Sequence, residues 1–593
     1  MRTLTILICI LVVMAGKFSG CSSEHKQTNT TQKPNIIIIM SDDQGWGDLS
    51  LTGNKNLYTP HIDLLAAKGA QFSHFYVSPV CSPTRAEFLT GRYHPRCGVY
   101  STSEGGERIN LDEATIAEAF KKAGYATAAY GKWHNGMQYP YHPKGRGFDE
   151  FYGFCSGHWG NYFSPQLEHN GKLVKGEGFI IDDLTEKAMG FIDTNKNNPF
   201  FLYIPYNTPH SPMQVPDRWW NKFKDKELKM RADDPKAEDI NFTRAALAMC
   251  ENIDWNVGRI ISKLKELNLE KNTIVVYLSD NGPNRWRWNG GMKGRKGSTD
   301  EGGIRSPLII QWPEVIPAGS QIGEIAGSID LFPTLADLAG IPYQTQKPLD
   351  GVSLKPLLLQ QSPSWNERLL FSHWDGRVSV RNERFRLDHQ GKLFNIRNDP
   401  GQERDISVNE PQVVAQLSKA VESWKGEMLQ NLSVDNRPLP VGHSDFNYTQ
   451  LPARDGKSHG NIVRSNQYPN SSFFTNWKSL DDRIIWEVEV LTTADYQVEV
   501  YYSCPAKDVG SSIQISFKQN QVEGKVTEAQ DPSLIGMEND RVERMESYEQ
   551  NFRSLKVGTI HLEKGRGNLT IQALHIPGSQ VMDFRLLMLT KVN

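Results

Sequence analysis

Two long apolar runs constrain the fold of this chain more than any other feature. Residues 35–40 read NIIIIM and residues 273–278 read TIVVYL, so both faces of each strand carry mostly apolar side chains. Such strands are typical of parallel sheets that are covered by helices on both faces. From residue 34 onward they alternate with amphipathic segments. The pattern predicts an α/β fold with a large, mostly parallel sheet flanked by helices.

Acidic and amide side chains follow both apolar runs. The first run ends in SDDQG, which contains Asp42 and Asp43, and the second ends in SDNG, which contains Asp280 and Asn281. Ligand sites of open α/β sheets lie at the carboxyl ends of the strands. An oxygen-only cage of this composition suits Ca²⁺ or Mg²⁺. Either acidic turn alone is an ordinary loop feature, but the two together favour a metal site.

Two further strands end beside histidines. YATAAY leads into GKWH, which contains Lys132 and His134, and PFFLYI leads into NTPHSP, which contains His210. A single loop histidine is usually structural. Two histidines at strand ends, one of them near a lysine, indicate acid–base groups around an anion.

The segment CSPTR, followed by AEFLTGRY, places a thiol beside a predicted anion site. Ser82 is a favourable N-cap and Pro83 suits the first helical position, so Cys81 is expected just before a helix N-terminus. Backbone N–H groups and the helix dipole attract anions there, and Arg85 adds a planar cation. The alternative is an ordinary capped surface helix that follows a cysteine.

The loop RWRWNGGMKGRKGSTDEGGIRSP (285–307) combines glycines with many cations. Glycines permit close approach of the backbone, and the cations would face an anionic substrate. A flexible, charged surface loop is the alternative, but the nearby SDNG turn favours an active-site loop.

Charge and cysteine usage exclude some classes of protein. A formal net charge of −2 over 593 residues gives no overall attraction to nucleic acid, so no nucleic-acid partner is expected. Of seven cysteines, Cys9 and Cys21 belong to the N-terminal segment, and the other five include no close pairs. This argues against a disulfide framework.

The N-terminus is predicted to be an export signal. A basic residue precedes an apolar run at 4–15, which is too short to cross a bilayer. FSGC resembles a lipobox in which Cys21 becomes lipidated, although Phe18 also leaves ordinary signal cleavage open. We expect a signal peptide at 1–20, a tether at 21–33, and a periplasmic or cell-surface protein that meets the membrane only through a lipid anchor.

These motifs, in this order, resemble the type I formylglycine-dependent sulfatases of the alkaline-phosphatase superfamily. SDDQGWGD and SDNG resemble the family's metal motifs, CSPTR its formylglycine motif, GKWH its lysine–histidine pair and KGSTDEGGIRSP its lysine-bearing loop. LFNIRNDPGQERDIS resembles the end of the family's small C-terminal subdomain. The resemblance runs from about Pro34 to about Ile406 and implies a catalytic domain at 34–355 and a C-terminal subdomain at 356–434.

The resemblance implies a sulfatase whose nucleophile is made from Cys81 by a formylglycine-generating maturation enzyme. The aldehyde would hydrate, and one hydroxyl would attack the sulfur of a sulfate ester. Ca²⁺, or less favourably Mg²⁺, would lower the pKa of that hydroxyl. The implied metal ligands are Asp42, Asp43, Asp280, Asn281 and the formylglycine at position 81.

The remaining catalytic roles transfer in the same way. Arg85, Lys132 and Lys296 would hold the sulfate oxygens. His210, together with Lys296, would help the alcohol to leave. His134 would take the proton of the second hydroxyl, which expels sulfate and restores the aldehyde.

Some positions stay open within the resemblance. Lys293 is close enough to Lys296 to be confused with it, and one polar family residue corresponds to either Ser156 or His158. The predicted substrate contacts are His158, Trp159, Asn161, Arg285, Arg287 and Lys293.

The C-terminal third is expected to differ from the catalytic domain. Residues 435–476 are rich in Pro, Asn, Ser and Gly and are predicted to form an irregular connector. Residues 477–593 alternate short strands with turns, as in a jelly-roll β-sandwich. This module resembles galactose-binding-type modules, so it would bind glycan or form one wall of the substrate cleft. Structural packing against the catalytic domain is the alternative.

Our leading hypothesis is an exported sulfatase that acts on a sulfated polysaccharide or its oligosaccharides. The resemblance is to enzymes of bacteria that degrade algal polysaccharides, so an ulvan-like algal glycan is the first candidate and a glycosaminoglycan the second. The alternatives are a phosphonate monoester or phosphodiester hydrolase of the same superfamily and a non-catalytic protein that binds sulfated glycans.

Overall fold

A computed structural model describes residues 33–343, 345–361, 365–430, 432 and 436–592. The predicted signal peptide, Cys21 and all but the last residue of the predicted tether lie outside these residues. Among the helices of the described chain, none has both the length and the apolar character that crossing a bilayer requires.

A ten-stranded sheet forms the centre of the N-terminal part of the described chain. Its strands are β1 (Asn35–Asp42), β2 (Ala70–Tyr76), β3 (Ala126–Lys132), β4 (Glu150–Phe154), β5 (Gln166–His169), β6 (Lys172–Lys175), β7 (Phe200–Pro209), β8 (Thr273–Ser279), β9 (Arg305–Gln311) and β10 (Ser320–Gly327). Their order in space is β10-β2-β9-β8-β1-β7-β3-β4-β5-β6. Only β5 and β9 run against the other strands of this sheet. The predicted large, mostly parallel sheet is confirmed.

Helices cover both faces of this sheet. Those of the described chain are α1 (Pro60–Ala67), α2 (Cys81–Thr90), α3 (Ile116–Lys122), α4 (Ile180–Thr194), α5 (Asp217–Trp220), α6 (Ile240–Glu266), α7 (Glu301–Ile304), α8 (Leu331–Leu338), α9 (Lys355–Leu358) and α10 (Pro411–Met428). Strand β1 shows why residues 36–40 are all apolar. Ile36 and Ile38 point into a core shared with α2, α3 and α8, whereas Ile37 and Ile39 point into a second core shared with α1, α4 and α6.

A small antiparallel sheet follows the ten-stranded sheet along the chain. Its strands are β11 (Leu370–Trp374), β12 (Arg377–Arg381), β13 (Phe385–Leu387) and β14 (Leu393–Asn395), in sequential order. Helix α10 packs on this sheet through Trp424, whose ring meets Tyr93 edge-on at 5.5 Å between centroids. Since Tyr93 belongs to the segment after α2, this contact joins the small sheet to the part of the chain that forms the ten-stranded sheet.

The C-terminal module is an all-β sandwich, as predicted. Its strands are β15 (Leu439–Val441), β16 (Tyr448–Pro452), β17 (Lys457–His459), β18 (Val463–Arg464), β19 (Phe474–Thr475), β20 (Arg483–Val490), β21 (Ala494–Ser503), β22 (Ser512–Phe517), β23 (Asn520–Lys525), β24 (Arg553–Leu562), β25 (Gly565–His575) and β26 (Asp583–Lys591). They form two six-stranded sheets around one apolar core. Trp486 and Phe584 meet in this core, with ring centroids 5.7 Å apart.

The prediction of an irregular connector at 435–476 is wrong in part. This segment contributes β15 to β19, which belong to the sandwich sheets: β15 and β17 pair with β20, while β16 and β19 pair with β26. These strands have two to five residues each and owe their conformation to partners far along the chain. The local sequence pattern is therefore not enough to predict these strands.

Two buried histidines connect the segment after α2 with the small sheet. The rings of His94 and His373 stack with 5.3 Å between centroids, and both side chains are buried. His94 Nδ1 lies 2.7 Å from the Val99 carbonyl oxygen, and its Nε2 lies 3.2 Å from the His373 carbonyl oxygen and 3.3 Å from His373 Nδ1. Burial lowers the pKa of His94 to about 4 and that of His373 to about 3. Both rings are therefore neutral in the folded protein at neutral pH.

We predict that this pair makes the protein acid-sensitive. The unfolded histidines take up protons near pH 6.5, whereas the folded ones do not until about pH 4. The contribution of these histidines to the free energy of unfolding is thus fully present above pH 6.5. It is lost as the pH drops toward 4, by about 3 kcal/mol for His94 alone. Unfolding by denaturant at pH 7 and pH 4.5 measures this loss.

The variant His373→Phe should show a smaller loss of stability between the two pH values. The matched control is His169→Gln, which changes an exposed histidine of β5 and should keep the full pH dependence. An unchanged pH dependence in His373→Phe would contradict the assignment.

Candidate active site

Four neighbouring parallel strands deliver the predicted catalytic residues to one edge of the large sheet. In space the order is β8, β1, β7 and β3. Asp280 follows β8, Asp42 ends β1, His210 follows β7 and Lys132 ends β3. The carboxyl ends of these parallel strands therefore gather residues that lie far apart in sequence.

Helix α2 brings the cysteine to the same place. The helix begins at Cys81 itself, after Val80 in extended conformation, so the prediction of Ser82 as N-cap is wrong. The Ser82 hydroxyl lies in the first turn and points toward the Glu107 carbonyl at 3.5 Å. The Cys81 sulfur lies within 4.8 Å of a carboxylate oxygen of both Asp42 and Asp280.

Buried ion pairs hold the carboxylates in place. Lys132 Nζ lies 2.7 Å from Asp42 Oδ2, and Arg85 Nη2 lies 2.7 Å from Asp280 Oδ2, with all four side chains buried. Burial alone would raise the pKa of Asp42, but the nearby positive charges, of which Lys132 contributes most, together outweigh burial and lower this pKa. Burial, reinforced by the Asp42 charge, raises the pKa of Asp280 to about 7. The two carboxyl groups thus differ in environment although they are neighbours.

The second carboxylate of β1 is held in the same way. Lys296 Nζ lies 2.6 Å from Asp43 Oδ1, which also accepts a hydrogen bond from Asn281 Nδ2 at 2.8 Å. Against the effect of burial, the Lys296 charge lowers the pKa of Asp43, and the Asp43 charge raises the pKa of Lys296. Lys296 is therefore the lysine of this loop that reaches the site.

Several oxygens at this edge of the sheet have no hydrogen-bond partner. Asp42 Oδ1, Asp43 Oδ2 and Asn281 Oδ1 are all buried, and none of them accepts a hydrogen bond from another described residue. An unpaired buried oxygen is costly unless a ligand takes it up. Together with the Asp280 carboxylate, these three oxygens form the hard donor set that Ca²⁺ or Mg²⁺ prefers, so the residues present fit the predicted cation.

The histidines present one free ring nitrogen each. His134 donates from Nε2 to the Thr102 carbonyl at 2.8 Å, and its buried Nδ1 has no partner among the described residues. Burial lowers the pKa of His134 well below its ordinary value, so the ring is neutral and Nδ1 carries a lone pair. His210 donates from Nδ1 to the Ser211 carbonyl at 2.6 Å, and its Nε2 faces the site, 3.7 Å from Asp43 Oδ2. His134 can therefore accept a proton at Nδ1, and His210 presents Nε2.

The thiol of Cys81 is not itself an activated nucleophile. The residue is buried, and burial raises the pKa of the thiol above its ordinary value, although Lys132 and Lys296 oppose this. A neutral thiol attacks poorly compared with a thiolate. The environment thus gives no sign that the unmodified cysteine acts as the nucleophile.

Some members of this cluster form the floor of a cavity of about 300 Å³. The floor includes Cys81, His134, His158, His210 and Lys296. One wall comes from the small sheet through Trp374, and another from the C-terminal module through residues 468–470 and 542–546. The cavity is therefore built by all three parts of the described chain.

Two of the six predicted substrate contacts line this cavity. His158 stacks on His210 with 5.8 Å between ring centroids, and its buried Nε2 has no partner among the described residues. Arg285 lies at the rim, where its Nη1 is 2.9 Å from Asp239 Oδ2 and its guanidinium lies over the Phe242 ring.

The other four predicted contacts are turned away from the cavity, which corrects the prediction. Arg287 is buried against Asp48, with Nη2 to Oδ2 at 2.6 Å, so it stabilises the loop after β1. Trp159 stacks on Phe154 at 5.1 Å between centroids and packs in the core beside β4. The local pattern of cations and aromatics did not reveal these buried partners.

Asn161 and Lys293 also serve the structure. Asn161 donates to the Phe163 carbonyl at 2.8 Å, and the Lys293 ammonium lies over the Phe394 ring of β14. Ser156, the alternative to His158, donates to the Asn470 carbonyl at 3.2 Å and is buried away from the cavity floor.

Sequence-based prediction missed the residues that the C-terminal module places at the cavity. Asn470, Glu543 and Glu546 stand in segments without any motif, and their place depends on how the module packs. Trp374, in the turn-rich segment SHWDG, was missed as well. A lone tryptophan beside a glycine turn could have been taken as a sugar-stacking candidate.

Comparisons with known proteins agree with this geometry. The family model described as Sulfatase matches residues 34–341, and the model described as N-sulphoglucosamine sulphohydrolase, C-terminal, matches residues 296–427. N-acetylgalactosamine-6-sulfatase of Mus musculus is 34% identical over 367 residues, which cover 56% of this chain and 67% of the mouse protein.

Two solved structures share the fold. Ps i-CgsB in complex with k-i-k-neocarrahexaose has a TM-score of 0.62 at 33% identity, covering 68% of this chain and 95% of that one. BT4656 in complex with its substrate D-glucosamine-2-N,6-O-disulfate has a TM-score of 0.57 at 23% identity, covering 68% and 99%. The catalytic sheet, the residues at its edge and the family match lead to one conclusion: this chain belongs to the sulfatase family and is a sulfuric ester hydrolase.

Proposed function

We propose that this sulfatase hydrolyses sulfate esters of a sulfated polysaccharide or its oligosaccharides, with a formylglycine made from Cys81 and a bound Ca²⁺. One observation carries the proposal. The Cys81 sulfur lies beside Asp42 and Asp280 on the floor of the cavity, next to buried carboxylate and amide oxygens that have no partner. This arrangement suits an oxygen nucleophile on residue 81 that faces a hard cation.

The proposal includes a metal ion and a modified residue, and each of them supplies one kind of chemistry. Ca²⁺, when bound by Asp42, Asp43, Asp280 and Asn281, supplies Lewis acidity that polarises sulfate oxygens. Residue 81, when oxidised to formylglycine, supplies a hydrated aldehyde in place of a thiol that burial keeps neutral. The maturation enzyme that carries out this oxidation belongs to the proposal as a partner.

Of the three cations predicted to hold the sulfate group, Lys296 lines the cavity, whereas Arg85 and Lys132 are buried in ion pairs with Asp280 and Asp42 and do not line it. The Lys296 ammonium can donate to a sulfate oxygen while it keeps its ion pair with Asp43. Arg85 orients Asp280 and also donates to the Lys132 carbonyl at 2.7 Å, so it holds the carboxylate that faces Cys81. Fixed donors and charges of this kind stabilise a developing negative charge without reorganisation.

The two histidines handle the protons. His134 presents a neutral Nδ1, so it can accept a proton from residue 81. His210 presents Nε2 toward the cavity, where it can serve the oxygen of the leaving alcohol. Each ring is fixed by a hydrogen bond from its other nitrogen to a backbone carbonyl, which sets the tautomer.

Two observations support a sugar as the alcohol part of the substrate. The cavity rim carries Trp374, whose indole can stack on a sugar ring. The similar structures hold a neocarrahexaose and a glucosamine disulfate, and the mouse relative is named for a sulfated N-acetylgalactosamine. An ulvan-like algal glycan is our first candidate and a glycosaminoglycan the second.

Export belongs to the proposal as well. The basic N-terminus, the apolar run at 4–15 and the lipobox-like FSGC at Cys21 support secretion to the periplasm or cell surface, with a lipid anchor.

We predict that Cys81→Ala abolishes sulfate release. The loss should be at least about 10⁴-fold, as for removal of a nucleophile. The assay measures free sulfate by ion chromatography from a panel of sulfated algal oligosaccharides and glycosaminoglycans, with protein co-expressed with a maturation enzyme. Cys504→Ala, which changes another buried cysteine in the C-terminal module, is the matched control and should retain release.

Three results would contradict the proposal, each in its own way. Release by Cys81→Ala within tenfold of the parent would rule out the formylglycine. Faster cleavage of a matched phosphodiester than of the sulfate ester would indicate the phosphodiester hydrolase alternative. Glycan binding without turnover, with the aldehyde verified by mass spectrometry, would indicate a binding protein.

We also predict that Ca²⁺ binding stabilises the fold. A ligand that binds only the folded protein should add about 2.7 kcal/mol at a free concentration of 100 times Kd, visible as a higher Tm. Asn281→Ala removes a neutral ligand and leaves no unpaired charge, so it should weaken Ca²⁺ binding by at least about tenfold in calorimetry.

The control for this experiment is Asp254→Asn. Asp254 Oδ1 accepts backbone hydrogen bonds from His61 and Ile62 in α1, and an asparagine oxygen can replace it. This variant should bind Ca²⁺ like the parent. Equal Ca²⁺ affinity in Asn281→Ala and the parent would refute the assigned site.

A further inference from the structure

The C-terminal module is fastened to the loop that carries His210. Ser211, the next residue, donates a hydrogen bond to the Glu546 carboxylate. A few residues on, Gln214 donates to the Gly536 carbonyl at 2.7 Å, and Arg541 donates to the Val215 carbonyl at 2.7 Å. Segment 536–546 thus lies along the loop after β7 and follows it to the cavity.

A second segment of the module supports the histidine beside His210. Asn470 Oδ1 accepts from the Gly157 backbone N–H at 3.1 Å, and the Ser471 hydroxyl donates to the His158 carbonyl at 3.3 Å. These contacts position the turn that carries His158 over the cavity floor. The module is therefore part of the wall of the active site and does not merely pack behind it.

A buried arginine fixes the module with respect to the catalytic part. Arg454 lies 3.0 Å from Glu107 and 2.8 Å from Asp455, and all three side chains are buried. The Glu107 carbonyl in turn accepts from Asn135, one residue after His134. A charged network of this kind tolerates little displacement, so the wall has a defined position.

The cations of the rim are neutralised by the chain itself. Arg285 pairs with Asp239 at 2.9 Å. Arg544 pairs with Asp540 at 2.6 Å and also donates to the Gly160 carbonyl. Neither guanidinium is therefore a free cation that would attract a second anionic group.

Two carboxylates of the same wall have no such partner. Glu543 and Glu546 line the cavity, and neither forms an ion pair with another described residue. Glu543 is exposed, while Glu546 is half-buried and accepts only the Ser211 hydroxyl bond through Oε1. The wall formed by the C-terminal module thus presents negative charge to those parts of the substrate that lie away from Lys296 on the cavity floor.

We propose that Glu543 and Glu546 form a sugar-binding subsite of the C-terminal module, which accepts hydrogen bonds from hydroxyls of the sulfated sugar and rejects a second anionic group there. Ionised carboxylates make strong hydrogen bonds with hydroxyl donors. They repel a carboxylate or a second sulfate at short range. This inference rests on the proposed function and deepens it: the sugar at this subsite carries neutral hydroxyls, and any uronate or further sulfate of an ulvan-like or glycosaminoglycan chain lies outside it.

The test compares two substrates on the full-length, matured protein. One is a sulfated oligosaccharide whose target ring bears free hydroxyls, and the other carries an additional sulfate or a uronate carboxylate next to the target ester. The variants are Glu543→Gln, Glu546→Gln and the pair. Glutamine retains an oxygen that can accept from Ser211, so the wall keeps its shape.

We expect the Glu546→Gln and paired variants to raise KM for the neutral substrate by about tenfold, as for loss of a hydrogen bond to a charged group, with the change falling on KM rather than on kcat. The preference for the neutral over the doubly anionic substrate should fall by about the same factor. Glu538→Gln changes an exposed carboxylate of the same module that does not line the cavity, and it should change neither quantity.

A binding measurement separates this inference from the proposed function. In the Cys81→Ala background, calorimetry should show about tenfold weaker binding of the neutral oligosaccharide by Glu546→Gln, whether or not the parent turns it over. Unchanged affinity and unchanged selectivity in the paired variant, with an unchanged Tm, would overturn the subsite while leaving the sulfatase proposal intact. Absence of sulfate release by the parent from every ester, with the binding effect present, would instead overturn only the proposed reaction.

Discussion

A buried balance of charge is the interaction on which the rest of the site depends. Three carboxylates at the ends of β1 and β8 are matched by three cations from α2, β3 and the loop after β8. Loss of one partner would leave an uncompensated buried charge, which costs several kcal/mol. Each pair also joins segments that are distant along the chain. Because the six charges cancel, a bound divalent cation would make the site positive, and an anionic sulfate would then be attracted to it.

The catalytic sheet could be predicted because its information is local. An apolar run that ends in SDDQG or SDNG predicts both a buried strand and a polar turn at its carboxyl end. Because β1 and β8 are parallel neighbours, their carboxyl ends bring Asp42 and Asp280 together. The same holds for Lys132 and His210, which end neighbouring strands. The order of the motifs along the chain was therefore enough to predict that these residues lie at the same end of the sheet.

What escaped prediction depends on partners that lie far away in sequence. Arg287 belongs to a basic, aromatic loop, yet its charge is taken up by Asp48, 239 residues earlier. Strands β15 to β19 have too few residues for a period to show, and their pairing with β20 and β26 decides their conformation. The acidic wall has no motif, since single glutamates in a polar segment are typical of any surface.

The position of the C-terminal module beside the active-site cavity has a consequence for the proposed maturation of Cys81. Cys81 is 3% exposed in the finished fold, so the proposed oxidation to formylglycine would have to take place before the chain has folded. Residues 542–546, which line the same cavity, come far after Cys81 in the sequence and are therefore synthesised later. The order of synthesis therefore exposes the cysteine before the last wall of its cavity exists. In the proposed maturation, the active site would be completed only after residue 81 had been available to the maturation enzyme.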